Sequence, residues 1–74
     1  MRESEFERLL RVLAKKVKSH RLALGLSQEQ LAFEAEIDRT YVSQIERALI
    51  NPSLFVLHKL AKVLGVSVIA LLTA

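Results

Sequence analysis

Arg39, Thr40, Ser43 and Gln44 carry hydrogen-bonding side chains at three- and four-residue spacings, so a helix through them would gather all four on one side. Their chemistry is recognition rather than bond-making. A guanidinium is a permanently charged, forked donor, a primary amide both donates and accepts, and a hydroxyl does either. These groups match the base edges of the DNA major groove: Arg39 could bond guanine O6 and N7, Gln44 adenine N6 and N7, and the Thr40 methyl could meet a thymine methyl. Arg39 is the sharpest of them. It follows Asp38, a good helix N-cap, so it falls in a first turn, where a cation opposes the helix dipole at a cost of about 0.3–1 kcal/mol. Stability does not select arginine there, but a duplex facing that helix end does. The plainer alternatives are an exposed Arg39 paired with Glu36 or Asp38, and ordinary polar surface for the other three.

The flanking residues suit phosphates. Ser27 and Gln30 form a capping box at the start of a preceding helix, and Gln28 occupies its first position beside free backbone amides. Ser27 and Gln28 could therefore hold a phosphate, which is compatible with simple capping. Arg47 ends the helix that Asp38 opens and is a phosphate candidate, although a cation there also suits the dipole. Tyr41 has two readings: a contact to sugar or phosphate, or a ring packed over the turn. Ser27 to Arg47 thus reads as two short helices joined by a tight turn, a helix-turn-helix that reads double-stranded DNA.

Five helices are expected to position this pair, with apolar residues recurring at three and four rather than two. The first spans about Glu5 to Leu24, with Phe6, Leu9, Leu10, Leu13 and Val17 on one face and Gly25 ending it. Its acids precede its bases, in keeping with the helix dipole. The second buries Leu31, Ala32 and Ala35 and stops near Ala35, with Ile37 anchoring the turn. The third, Arg39 to about Arg47, buries Val42 and Ile45. After Asn51-Pro52-Ser53 the fourth runs Leu54 to Leu64, with Leu54, Leu57, Leu60, Ala61 and Leu64 inside and Gly65 closing it. Ser67 caps a short fifth helix to about Thr73. The fold class is all-α, with an extended N-terminal helix.

A chain of 74 residues is expected to be one domain, residues 1–74, with a helix-turn-helix at about 27–47 and a dimerisation region at about 50–74. There is no cysteine to supply a disulfide or a thiolate-bound metal, and an apolar content of 51% supplies the core instead. The net charge of +3 favours an anionic partner. No signal peptide or apolar run of membrane-spanning length is visible, so a cytoplasmic, nucleoid-associated protein without a membrane partner is expected. No phosphate-binding glycine loop, metal-ligand spacing or nucleophile–base pair appears. No enzymatic activity, cofactor, metal or small-molecule ligand is expected. His20 reads as a partly buried, hydrogen-bonded residue rather than a ligand.

The residues Arg21, Gly25-Leu26-Ser27-Gln28, Leu31-Ala32, Ile37, Val42-Ser43, Ile45-Glu46-Arg47, Asn51-Pro52-Ser53-Leu54 and Leu60 to Val66 carry a resemblance to the phage repressor/Cro-type, or Xre-like, helix-turn-helix proteins. It spans about Val17 to Leu72 and implies a lambda-repressor-like five-helix fold. Gln28 matches the family's phosphate-binding glutamine, Arg39, Thr40 and Gln44 fall where the family contacts bases, and Arg21 and Glu46 match a buried ion pair tying helix 1 to helix 3. Asp38 to Ser43 with Ile45-Glu46-Arg47 also resemble controller proteins of restriction–modification systems. The sequence departs from the pattern at Glu36 and Ala48, where glycine is usual. A left-handed backbone at either would cost on the order of 1 kcal/mol.

Ile50, Phe55, Val56 and Ile69 are apolar where many members of that family are polar, and family members commonly pair through helix 5 and the start of helix 4. A homodimer through Ile50, Phe55, Val66 and Ile69 is therefore expected, the alternative being that these residues thicken the core. Two-fold pairing would suit a near-palindromic operator, and the resemblance to controller proteins implies that of a restriction–modification operon. The competing function is an antitoxin-like module that binds a partner protein and regulates its own synthesis. A membrane-surface role for the basic, amphipathic first helix leaves the other capped helices without a purpose.

Overall fold

The computed structural model describes residues 3–74. Its elements are α1 (Glu5–Ala23), α2 (Gln28–Ala35), α3 (Arg39–Glu46), α4 (Leu54–Leu64) and α5 (Val68–Leu72). The class and the order of elements are those expected from the sequence.

Local chemistry sets every start. Ser4, Ser27, Asp38, Ser53 and Ser67 are the N-caps of α1 to α5, each with extended backbone and a side-chain oxygen accepting an amide of the first turn. Ser4 with Glu7 and Ser27 with Gln30 complete reciprocal capping boxes. The ends are equally regular. Left-handed residues Gly25, Glu36, Ala48 and Gly65 follow α1 to α4. Each is succeeded by an apolar residue whose amide turns back into the helix: Leu26 to the Arg21 carbonyl, Ile37 to Ala32, Leu49 to Gln44 and Val66 to Ala61. Glycine takes this conformation freely, whereas Glu36 at φ 56° and Ala48 at φ 57° take it against a Cβ clash.

The core is one cluster built by all five helices, with Val17, Leu31, Val42, Ile45, Leu60 and Leu71 fully buried. Each such side chain contributes about 1.5–3 kcal/mol of burial. α3 packs on α1 and α2, α4 on α2, and α5 returns to α1 and α4. The α2–α3 pair is thereby braced from behind by the remaining helices.

Three apolar expectations fail. Phe6 is 50% and Leu9 40% exposed, because the first turns of α1 run past the end of the core and the molecule is drawn out to 37 × 22 × 22 Å. This stretch is held instead by Glu3, whose carboxylate accepts from Arg11 Nε at 2.6 Å and Nη2 at 2.7 Å. That hydrogen bond keeps the Glu3 carboxyl below its ordinary pKa. Leu54 is 71% exposed. It is the first residue of α4, and at this end of the helix Pro52 is the buried residue. His20 is half-buried, but among the described residues no hydrogen bond reaches its ring. No helix of the described residues is long and apolar enough to cross a membrane.

Candidate nucleic-acid interface

α3 is two turns long and divided cleanly. Val42 and Ile45 are buried against the core, while Arg39 and Thr40 are exposed and Ser43 and Gln44 half-exposed. Asp38 fixes the helix start, its Oδ1 accepting the Thr40 amide at 2.7 Å. That bond commits the carboxylate to capping. Arg39 makes no salt bridge among the described residues, so the pairing alternative with Glu36 or Asp38 is absent. The outward side of α3 therefore offers a free guanidinium, two hydroxyls and an amide.

Tyr41 packs against the core cluster, which is the packed-ring alternative, and remains half-exposed. Arg47 is the exposed C-cap of α3. Ser27 Oγ accepts the Gln30 amide at 3.0 Å, and Gln30 Oε1 accepts the Ser27 amide at 2.7 Å.

Behind α3 lies a connected polar network. Arg21 Nε donates to Glu46 Oε2 at 2.7 Å and Nη2 to Oε1 at 2.9 Å, a bidentate pair whose side chains are 9% and 3% exposed. Arg21 Nη1 donates to the Leu26 carbonyl at 2.8 Å, fixing the turn that leads into α2. The hydrogen bonding to Glu46 holds the Arg21 pKa above its ordinary value, against the opposing effect of burial. The remaining donor to Glu46 is Gln28 Nε2, 3.1 Å from Oε1. The end of α1, the start of α2 and the end of α3 thus meet at one carboxylate. Sequence reasoning placed Gln28 at a helix start and missed this bond. The partners lie 18 residues apart, and only their common closeness to Arg21 could have suggested it.

The four dimer candidates divide in two. Ile50 and Val66 are half-buried and pack on the protein's own core, whereas Phe55 is 65% and Ile69 75% exposed. Lys59 Nζ sits 4.7 Å from the centre of the Phe55 ring, within cation–π range, and 3.5 Å from the Glu36 carbonyl oxygen. Phe33, 81% exposed, was also missed. The spacing of Leu31, Ala32 and Ala35 places it on the opposite, outer side of α2.

Comparison with known proteins gives a consistent result. The helix-turn-helix family model matches residues 17–71. The control protein C.BamHI of Bacillus amyloliquefaciens is 46% identical over 56 residues, covering 74% of this chain and 69% of that protein. The restriction-modification controller protein C.AhdI from Aeromonas hydrophila superimposes with a TM-score of 0.80 at 40% identity, over 84% of this chain and 94% of the other. The biofilm regulator SinR, in a crystal structure with DNA, gives a TM-score of 0.80 at 40% identity over 82% of this chain and 98% of that one.

Proposed function

The chain belongs to the helix-turn-helix family of DNA-binding transcriptional regulators, and we propose that it acts as a homodimer on a near-palindromic operator, with α3 in the major groove. In this reading Arg39, Thr40, Ser43 and Gln44 contact bases, and Ser27, Gln28, Tyr41 and Arg47 contact phosphates. Residues 50–74 carry the dimer contacts, with Phe55 and Ile69 protruding and Ile50 and Val66 supporting them from the core. The likeness to control proteins supports a restriction–modification operon as the target.

The observation that carries the proposal is the division of α3. Its inner side is sealed by Val42 and Ile45, and its outer side presents at the helix start an Arg39 that makes no salt bridge among the described residues. Selection of bound duplexes from a random pool, at two salt concentrations, tests it. The expected product is a pair of inverted half-sites with centres one DNA turn apart, about 34 Å, bound more weakly as salt rises. Enrichment of no sequence would overturn base reading by Arg39, Thr40 and Gln44.

A further inference from the structure

Lys59, in the middle of α4, touches two parts of the molecule that the proposed function assigns to different tasks. Its Nζ lies 4.7 Å from the centre of the Phe55 ring, one turn earlier on the same helix, and 3.5 Å from the Glu36 carbonyl oxygen at the end of α2. Phe55 belongs to the dimer contacts, and Glu36 opens the turn into α3. We infer that Lys59 is a positioning residue that couples dimerisation to base reading, its ammonium joining the Phe55 ring to the turn ahead of the recognition helix. This coupling rests on the reading of Phe55 as a dimer contact and of α3 as the base-reading helix, and deepens it.

The turn end of the link is a single peptide unit. Glu36, left-handed at φ 56°, carries its carbonyl out of the helix ladder, and among the described residues the Lys59 ammonium is the donor that reaches it. A cation there also suits the negative end of the α2 dipole. The other half of the same planar unit is the Ile37 amide, which donates to the Ala32 carbonyl at 3.0 Å. The peptide is thus pinned on both sides, by α2 itself and by α4. One residue after Ile37, Asp38 caps α3 through the Thr40 amide at 2.7 Å. A swing of the pinned peptide would therefore redirect the helix that carries Arg39. Glu34 and Glu36 line the same groove, yet Lys59 makes no salt bridge among the described residues. It grips the path of the chain rather than a mobile carboxylate.

The ring end of the link responds to pairing. Phe55 is 65% exposed in the monomer, so water competes for the ring and for the ammonium beside it. A cation–π contact strengthens when water is excluded. A second copy seated on Phe55 excludes it, tightens the ring's hold on Lys59, and through Lys59 steadies the Glu36 carbonyl. The turn is then stiffer in the dimer than in the monomer. Such coupling is reciprocal: an operator that fixes α3 steadies Lys59 and favours the pairing of Phe55.

Three substitutions test the link. Lys59→Met keeps a long apolar stem without the charge, Lys59→Arg keeps a cation that suits both ring and carbonyl, and Phe55→Leu keeps an apolar contact without a ring. Lys59 is half-exposed, so its replacement leaves the core closed. Hydrogen exchange of the Ile37 and Thr40 amides is followed across protein concentrations that span the monomer–dimer equilibrium, beside thermal melts and operator titrations. In the unaltered protein these amides are expected to exchange about fivefold more slowly in the dimer than in the monomer. Lys59→Arg should retain the difference, and Lys59→Met and Phe55→Leu should abolish it. At concentrations where it is fully dimeric, Lys59→Met should still bind the selected operator about fivefold more weakly. Slowing on dimerisation that persists in Lys59→Met would overturn the inference, as would unaltered operator affinity in that variant. A fall in melting temperature with the monomer–dimer difference intact would assign Lys59 to stability alone. An unaltered protein that stays monomeric on the operator would instead remove the dimer from the proposed function, and the coupling with it.

Discussion

Arg39 occupies the first turn of α3, where the helix dipole disfavours a cation by about 0.3–1 kcal/mol, and it forms no salt bridge with a carboxylate among the described residues. Arg21 is the opposite case, an arginine each of whose three nitrogens donates a hydrogen bond and whose charge is matched by Glu46. The two should therefore respond differently to removal. Arg39→Ala is expected to leave the melting temperature unchanged or raise it, while weakening operator binding by roughly 1–3 kcal/mol and relaxing one base preference. A lower melting temperature with unaltered binding would assign Arg39 to stability instead. The sequence was informative here because arginine in a first turn conflicts with local electrostatics, and the conflict is visible in one dimension. Gln28 carried no comparable signal, since glutamine suits a helix start whether or not a carboxylate waits behind it.

Helix boundaries were legible wherever a residue type marks them. Serine and aspartate open the helices, and Gly25 and Gly65 follow α1 and α4 with left-handed backbone. Glu36 and Ala48 adopt the same backbone without glycine, so only the departure from the family pattern pointed to them. Ala48→Gly is expected to raise stability by about 0.5–1 kcal/mol, the relieved clash outweighing the added freedom of the unfolded chain. A urea denaturation midpoint that falls would contradict strain at this position. Periodicity failed where a helix outruns its support. Leu54 keeps the spacing of the buried residues of α4 and Phe6 that of α1, but both lie in first turns beyond the reach of neighbouring helices.

For the molecule as a whole, the apolar surplus after the core is filled is concentrated in protruding side chains, Phe55 and Ile69 among them. Composition could not separate these from Ile50 and Val66, because apolar type says nothing about which of two surfaces a residue covers. Phe55→Glu together with Ile69→Glu should leave the monomer folded, since both side chains are exposed in it. At a two-fold interface each loss counts twice, so dimer dissociation should rise by about a hundredfold or more. Sedimentation equilibrium at tens of micromolar reads this directly, and an unaltered protein that is monomeric there would sink the dimer. The stops that bound α3 carry one more consequence. Asp38 opens the helix, Ala48 ends it, and Val42 and Ile45 tie it down from the inside. The outward residues bear no side-chain hydrogen bonds to the rest of the described structure, so exchanging them breaks none. If these residues read the operator as proposed, a regulator built this way can change its target by substitution at three or four positions without loss of its fold, and descendants of one ancestor can diverge in address while sharing a frame.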